Sequence, residues 1–452
     1  MSVVELLEPV LTGGIQETNY FNGRLLTAED LRADQQASRL RLRQLAGAIG
    51  EGVVDGLEVS VSSSSTKARP VLRISPGVAL NRKGEEVALA SETEVALVRA
   101  SSPAGEDTGL FEPCAPPAAA LVNPGLYLLT IAPASGLDGT APMLELNSEG
   151  MASKCGSRYA VEGAQFGLLG IGLTANPSPL RSKVIASAAL LESQAAAGNP
   201  PADPAASATV SLIRNGAAHL MFGTEWLAAR CGAPLLRPSN PTSYGLIEEL
   251  RSSGLLSDCQ TPIALVGWTR AGLMFVDPWS VRRVPAPRPA SDPWAPYVSP
   301  RHTQECVARF LQFQAQINEL VNSSLSASAL AQVEATSFFH YLPPVGILPL
   351  GGAAGARGVD YLKFFNGKTT RNPVFMEGST LEGLLGEGLS YPPIDLSQPE
   401  MIWLYAVREN VQAIDAGAAG APISCMVFAN ANIPDQNNAR FDVAHWSYSN
   451  YL

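Results

Sequence analysis

The tetrapeptide Thr27-Ala28-Glu29-Asp30 fixes a helix start more sharply than any other stretch of the chain. Thr27 has a side-chain oxygen suited to an N-cap. Asp30 falls at the third helical position, where an acidic group suits the helix dipole, and Leu26 and Leu31 have the spacing of a hydrophobic staple. The predicted helix carries Leu31, Gln35, Ser38, Leu42 and Leu45 on one stripe, with Arg32, Arg39, Arg41 and Arg43 over the rest of its surface. So thin an apolar stripe gives the helix little to bury of its own. It must either cover the outside of a sheet or pair with a neighbouring chain. The glycines in Ala46–Gly52 end it, because they supply left-handed caps and close backbone approaches.

Behind the helix the text changes period. Gly52–Val61 alternates as a half-buried strand does, and Val71–Leu80 reads as a strand, a Pro-Gly turn and a second strand. Asn81–Gly84 then turns the chain into Glu85–Leu89, and Glu94–Val98 adds one more short strand. Ser101–Pro124, rich in Pro, Ala and Gly, is a connection. Gly125–Ile131 is a central-strand candidate, residues 133–157 read as loops, and Arg158–Leu169 resumes extended structure. Alanine-rich text at 183–197 predicts one helix in a long excursion. Pro262–Trp268 and Gly272–Asp277 form a hairpin pattern. Apolar residues at Cys306, Phe310, Phe313, Ile317 and Leu320 predict a second helix over 303–320. Met401–Arg408 and Ile423–Ala429 are a final strand pair.

These elements predict a mainly β, multidomain protein with an N-terminal helix and a few further helices, built from short antiparallel sheets and long loops. The boundaries fall at 1–100 for the helix and a small antiparallel unit, 120–285 for a β-rich middle domain, and 300–452 for a C-terminal domain. A length of 452 residues suits several domains of ordinary size. Only 16% of residues are charged, against a typical figure of roughly 25%, while 40 Gly and 35 Pro imply many turns. A quiet, turn-rich surface suits extended contact with other protein surfaces.

The net charge of −10 opposes nucleic-acid and anionic-membrane partners. The six cysteines, at 114, 155, 231, 259, 306 and 425, lie far apart and predict buried free thiols. The N-terminus has no secretory pattern, and no apolar run is long enough for a membrane span. The expected setting is therefore assembly in the cytoplasm.

The chemistry-bearing residue types do not form a recognisable catalytic pattern. His219, His302, His340 and His445 show no metal-ligand spacing, and Gly351–Gly358 lacks the Lys-Ser/Thr ending of a phosphate loop. Adjacent acids such as Glu248-Glu249 and Glu85-Glu86 should point apart. No enzyme activity, cofactor or metal is expected. Interface anchors are better represented: Tyr20, Phe21 and Arg24 before the helix, Arg39 and Arg43 on it, and Trp279, Arg282 and Arg283 after the middle hairpin. For that last group, a strand end with a half-buried tryptophan is an equal reading.

Asn19–Leu31, the arginine-rich helix, Gly52–Val59, Ile74–Leu80 and Gly84 together resemble the amino-terminal region of baseplate-associated proteins of phage-tail-like contractile injection systems. Looser matches at Arg158, Glu162-Gly163, Phe275–Asp277, Arg282-Arg283 and Phe339 with Leu342–Gly346 carry the resemblance to about residue 350. It implies a non-enzymatic structural subunit present in multiple copies. Its partners would be other baseplate or sheath-tube subunits, and the particle would be held at a membrane or released. Tyr20, Phe21, Gly23, Leu25 and Leu26 would then anchor the entry to the helix, and its arginines would bridge subunits. Two other roles stay open: a tail-tip fibre or receptor- and glycan-binding module using Trp226, Trp268 and Trp279, and a tail-associated cell-wall hydrolase.

Overall fold

In the computed structural model the described residues are 10–67, 69–97, 123–147, 150–173, 178–196, 208–225, 245–269, 272–287, 300–349, 357–369, 373–408 and 423–433. The Thr27 signal is obeyed. Helix α1 spans Ala28–Ile49, the Thr27 hydroxyl accepts from the Asp30 N–H, and the Asp30 carboxylate accepts from the Thr27 N–H in return. Gly50, at φ 104°, closes the helix in a conformation that favours glycine, and its N–H donates to the Ala46 carbonyl.

Six short strands follow: β1 Gly52–Gly56, β2 Val59–Val61, β3 Val71–Ile74, β4 Gly77–Leu80, β5 Glu86–Leu89 and β6 Thr93–Ala96. They form two three-stranded antiparallel sheets, ordered β1-β4-β5 and β2-β3-β6. The next two strands, β7 Gly125–Asn147 and β8 Gly150–Ile171, pair from Leu126↔Ile171 out to Asn147↔Gly150. Residues 133–147 and 150–157, expected as loops, are therefore paired strand. Helices α2 Pro179–Ala196, α3 Ala208–Met221 and α4 Gly245–Ser252 come next, then β9 Thr261–Thr269 and β10 Gly272–Asp277. The sheet order is β10-β9-β7-β8, and β9 pairs β7 only as far as Ile131. Beyond that point the β7–β8 hairpin is a two-stranded ribbon, on the order of 50 Å long at about 3.3 Å per residue.

The last part contains α5 Pro300–Val321, the short helices α6 Ala327–Leu330 and α7 Ala335–Phe338, and strands β11 Tyr341–Leu342 and β12 Val345–Leu348. Helix α8 Tyr361–Phe365, strand β13 Val374–Glu377, helix α9 Leu381–Gly388, and strands β14 Ile394–Asp395, β15 Ile402–Arg408 and β16 Ile423–Asn430 complete it. The sheet here is ordered β12-β16-β15-β13. β15 and β16 are antiparallel neighbours as the sequence suggests, but β13 pairs β15 in parallel.

Helix and strand contribute about equally, 35% and 33%, with nine helices among the described residues. The expectation of a mainly β chain with few helices is overturned. Most of the helices that pattern reading misses are short, of four to eight residues. In α3, 11 of 14 residues are buried, polar Ser211, Arg214, Asn215 and His219 among them, so the polar face that its sequence spaces at three and four residues is turned into the protein and not to solvent. Gly216 sits where a Cβ would lie 2.5 Å from the Val184 side chain, so α3 needs glycine to approach α2 this closely.

The cores cross the expected segment boundaries. Leu57, Leu72 and Ile74 of the first sheets share a cluster with Tyr127, Ile131, Ile263 and Val266 of the middle sheet. Phe313, Phe339, Phe364, Phe365 and Phe428 form an edge-to-face aromatic core between α5 and the last sheet.

Candidate protein–protein interface

Helix α1 is long and well capped, yet Ala37 is its only buried residue. Its own chain holds it by polar contacts along the edges. The Arg43 guanidinium lies 2.7 Å from Glu85, and a Cβ on Gly84 would lie 2.1 Å from the Arg43 carbonyl, so the turn after β4 closes directly onto the helix backbone. Arg39 reaches Glu162 on the ribbon at 2.9 Å, and Arg41 reaches Glu17 at 2.5 Å. Arg24 pairs with Asp30 and lies 5.8 Å from the Phe21 ring centre. The Thr27 backbone N–H, then the Thr27 hydroxyl and Arg24, hold the Asp30 carboxyl below its ordinary range.

The apolar side chains face the other way. Leu31, Leu42, Leu45 and Ile49 are 52–65% exposed, and ahead of the helix Tyr20, Phe21, Leu25 and Leu26 are 51–90% exposed. Scattered exposed leucines are ordinary, but four large apolar side chains on one helical line, with four more in the segment leading into the helix, are the kind of surface that protein partners cover. Of the expected interface residues, Tyr20 and Phe21 lie on this surface, while Arg24, Arg39 and Arg43 are engaged within the chain.

Trp279, Arg282 and Arg283 occupy a different place. Arg283 donates to the carbonyls of Trp279, Ser280 and Arg282 and stacks 5.0 Å from the Phe222 ring centre, so it braces the turn that follows β10. Burial lowers the pKa of Arg282, with Glu58 and Asp55 opposing it. Trp279 is half-buried and lines a cavity of about 420 Å³ with Arg214, Gln316 and Glu319. Burial works against the Arg214 charge, but Asp277, 3.0 Å from its Nε, and Glu319 outweigh it, and the pKa is raised. Trp268 packs instead against the first core, and Trp226 lies outside the described residues. The tryptophans therefore give no shared described surface.

Several other ionisable residues are engaged within the fold. Glu248 and Glu249 point apart, to Arg82 and Arg181. His219 is buried, hydrogen-bonds the Thr224 hydroxyl at 2.8 Å and stacks on Tyr341. Burial, then Arg309 and His340, depresses its pKa strongly. Burial also lowers His340 to about 4, with Lys183 adding and Asp395 opposing. His302 stands 3.7 Å from the Cys306 sulfur, and burial raises the pKa of that thiol. His445 lies outside the described residues. No group of three metal-ligating side chains occurs among the described residues. The cysteines only partly match the expected buried thiols: Cys306 is free and buried, Cys155 is free but exposed, and Cys259 is disulfide-bonded.

No protein-family model and no curated protein matches the chain. The surface is therefore read on its own geometry. Sequence reasoning found the helix and its stripe, but missed that the ribbon supplies Glu162 to Arg39, because a contact across that separation leaves no local signal. No helix among the described residues is long and apolar enough to cross a membrane.

Proposed function

We propose that this chain is a non-enzymatic structural component of a contractile injection system baseplate, or of its peripheral extension, acting through protein–protein contacts. The observation that carries the reading is a 22-residue capped helix whose Leu31, Leu42 and Leu45 face solvent while Arg39, Arg41 and Arg43 pair with acids of its own chain. Such a helix is held in place for presentation, since its own burial contributes little to stability. The kind of machine comes from the resemblance of the Asn19–Leu31 motif and the strands behind it. On this reading the partners are other baseplate or sheath-tube subunits, the chain is present in several copies, and assembly begins in the cytoplasm. The particle is then held at a membrane or released.

A second reading, a tail-tip receptor- or glycan-binding module, draws on the cavity that Trp279 lines beside Arg214, Gln316 and Glu319. An indole face with polar side chains around it suits a sugar ring. Imaging purified particles with and without this chain decides between them. Loss of density at the baseplate supports the structural role. Intact particles that no longer adhere to target cells favour the second, and particles unchanged in both respects exclude both.

A further inference from the structure

The exposed side chains of α1 follow a stricter rule than simple amphipathicity. Leu31, Gln35, Ser38, Leu42, Leu45 and Ile49 are separated alternately by four and three residues, the spacing of the a and d positions of a heptad. Gln35, Leu42 and Ile49 occupy a, and Leu31, Ser38 and Leu45 occupy d. All six are exposed. The buried Ala37 and the half-buried Leu40 and Arg43 lie on the opposite side of the helix from this line, and Asp34 flanks it. A seam of about three heptads is thus left open along a helix that Thr27, Asp30 and Gly50 cap.

We infer that α1 pairs through this seam with α1 of a second copy of the chain, parallel and in register, as a short two-stranded coiled coil. Charge selects the occupant and the direction. In a parallel pair, Asp34 at g faces Arg39 at e of the second copy, and the contact is repeated by symmetry. An antiparallel pair overlapping along the whole seam would instead set Arg39 against Arg39 at e and Arg41 against Arg41 at g, two like-charge contacts, and would bury Gln35 against Leu45. Register also selects a like partner: Gln35 meets Gln35 and Ser38 meets Ser38, so each polar layer is matched only when the helices are aligned. A polar residue at a single a position is a known means of fixing register at some cost in stability. The pair of Arg39 with Glu162 has both side chains more than half exposed, 51% and 62%, so turning the guanidinium from Glu162 to Asp34 of the second copy gives up only a solvent-screened contact there. With two polar layers in so short a seam, the pairing is weak in one dimer and gains strength when several copies are held in one assembly.

This deepens the proposed function by naming a partner for the same surface. The test uses the full chain. Sedimentation equilibrium should show a monomer–dimer equilibrium, and Leu42→Glu/Leu45→Glu should abolish it while leaving the circular dichroism and thermal transition of the body unchanged. In a Cys155→Ser background, mild oxidation should cross-link Gln35→Cys into dimers several-fold faster than Ala33→Cys, which is exposed on another face of the helix. A wild-type chain that stays monomeric up to about 0.1 mM, or equal cross-linking at the two positions, overturns the pairing. The two proposals fail separately. A chain that enters particles but never pairs sinks the dimer and keeps the subunit role, whereas a chain that pairs but is absent from particles does the reverse.

Discussion

Helices α1 and α5 are each 22 residues long, and each carries apolar residues at intervals of three and four. In α5 the stripe is consumed by the fold: Phe313, Ile317 and Leu320 are at most 1% exposed and pack against the last sheet. In α1 the stripe of Leu31, Leu42, Leu45 and Ile49 stays more than half exposed. Periodicity alone therefore announces a helix with something to bury, and does not say in which molecule. What separates the two is their edges. α5 places polar residues inward, as Gln312 and Gln316 bond Asp277 and the Ser211 carbonyl, whereas α1 spends its arginines on Glu17, Glu85 and Glu162.

The comparison breaks most easily at Phe313. Phe313→Ala removes a ring that meets both Phe339 and Phe428 at 5.3 Å and should destabilise the chain by about 3–5 kcal/mol in denaturant titrations. An equal loss from Leu42→Ala would show that the α1 stripe belongs to the same core.

Acidification should act next, and only on the body. His340 is held at about 4, below its ordinary value, so the unfolded chain binds protons that the folded chain refuses. Its contribution is complete above about pH 6.5 and is lost as the pH falls toward 4. The α1 cap is untouched in that window, because the Asp30 carboxyl titrates below its ordinary range. His340→Gln should flatten the fall in stability between pH 6.5 and pH 4, and an unaltered slope would show that His340 does not drive it.

Smaller effects sharpen the α1 side. Thr27→Ala deletes one half of the reciprocal cap and should cost about 1 kcal/mol, read as faster hydrogen exchange in the first turn of α1 with little change in α5. Arg39→Ala/Arg43→Ala removes one exposed ion pair, to Glu162, and one half-buried pair, to Glu85, and should cost the monomer on the order of 1 kcal/mol. The same double variant should weaken self-association and assembly, because Arg39 is lost from the e position; equal losses in folding and in assembly would mean that the arginines only brace the helix.

The sequence was most legible where structure is set within a few residues. Thr27 and Asp30 are three positions apart and satisfy each other's backbone, so their types and spacing suffice to place the helix start. The hairpin β9–β10 and the pair β15–β16 were legible for the same reason, as apolar runs bounded by turns. Residues 133–157 were not. Pro133, Gly136, Gly139 and Pro142 read as loop punctuation, yet a two-stranded ribbon with open edges accepts such residues along its length. Helix α3 carries Val210, Ile213, Ala217 and Leu220 at helical spacing, so its existence was legible; what was not is that its polar face is buried, with Arg214 finding Asp277 and Glu319 only through the tertiary fold. The candidate interface was half legible. The stripe could be written down from the sequence, but its exposure, and the diversion of the arginines to intramolecular partners, depend on Glu85 and Glu162 arriving from two other hairpins.

The central claim is that the α1 seam serves assembly and not folding. Its most direct test is to build particles with the Leu42→Glu/Leu45→Glu chain and to measure, on the same preparation, particle occupancy and the thermal transition of the free chain. The account predicts lost occupancy with an unchanged transition. Full occupancy, or a transition lowered as far as that of Phe313→Ala, would contradict it.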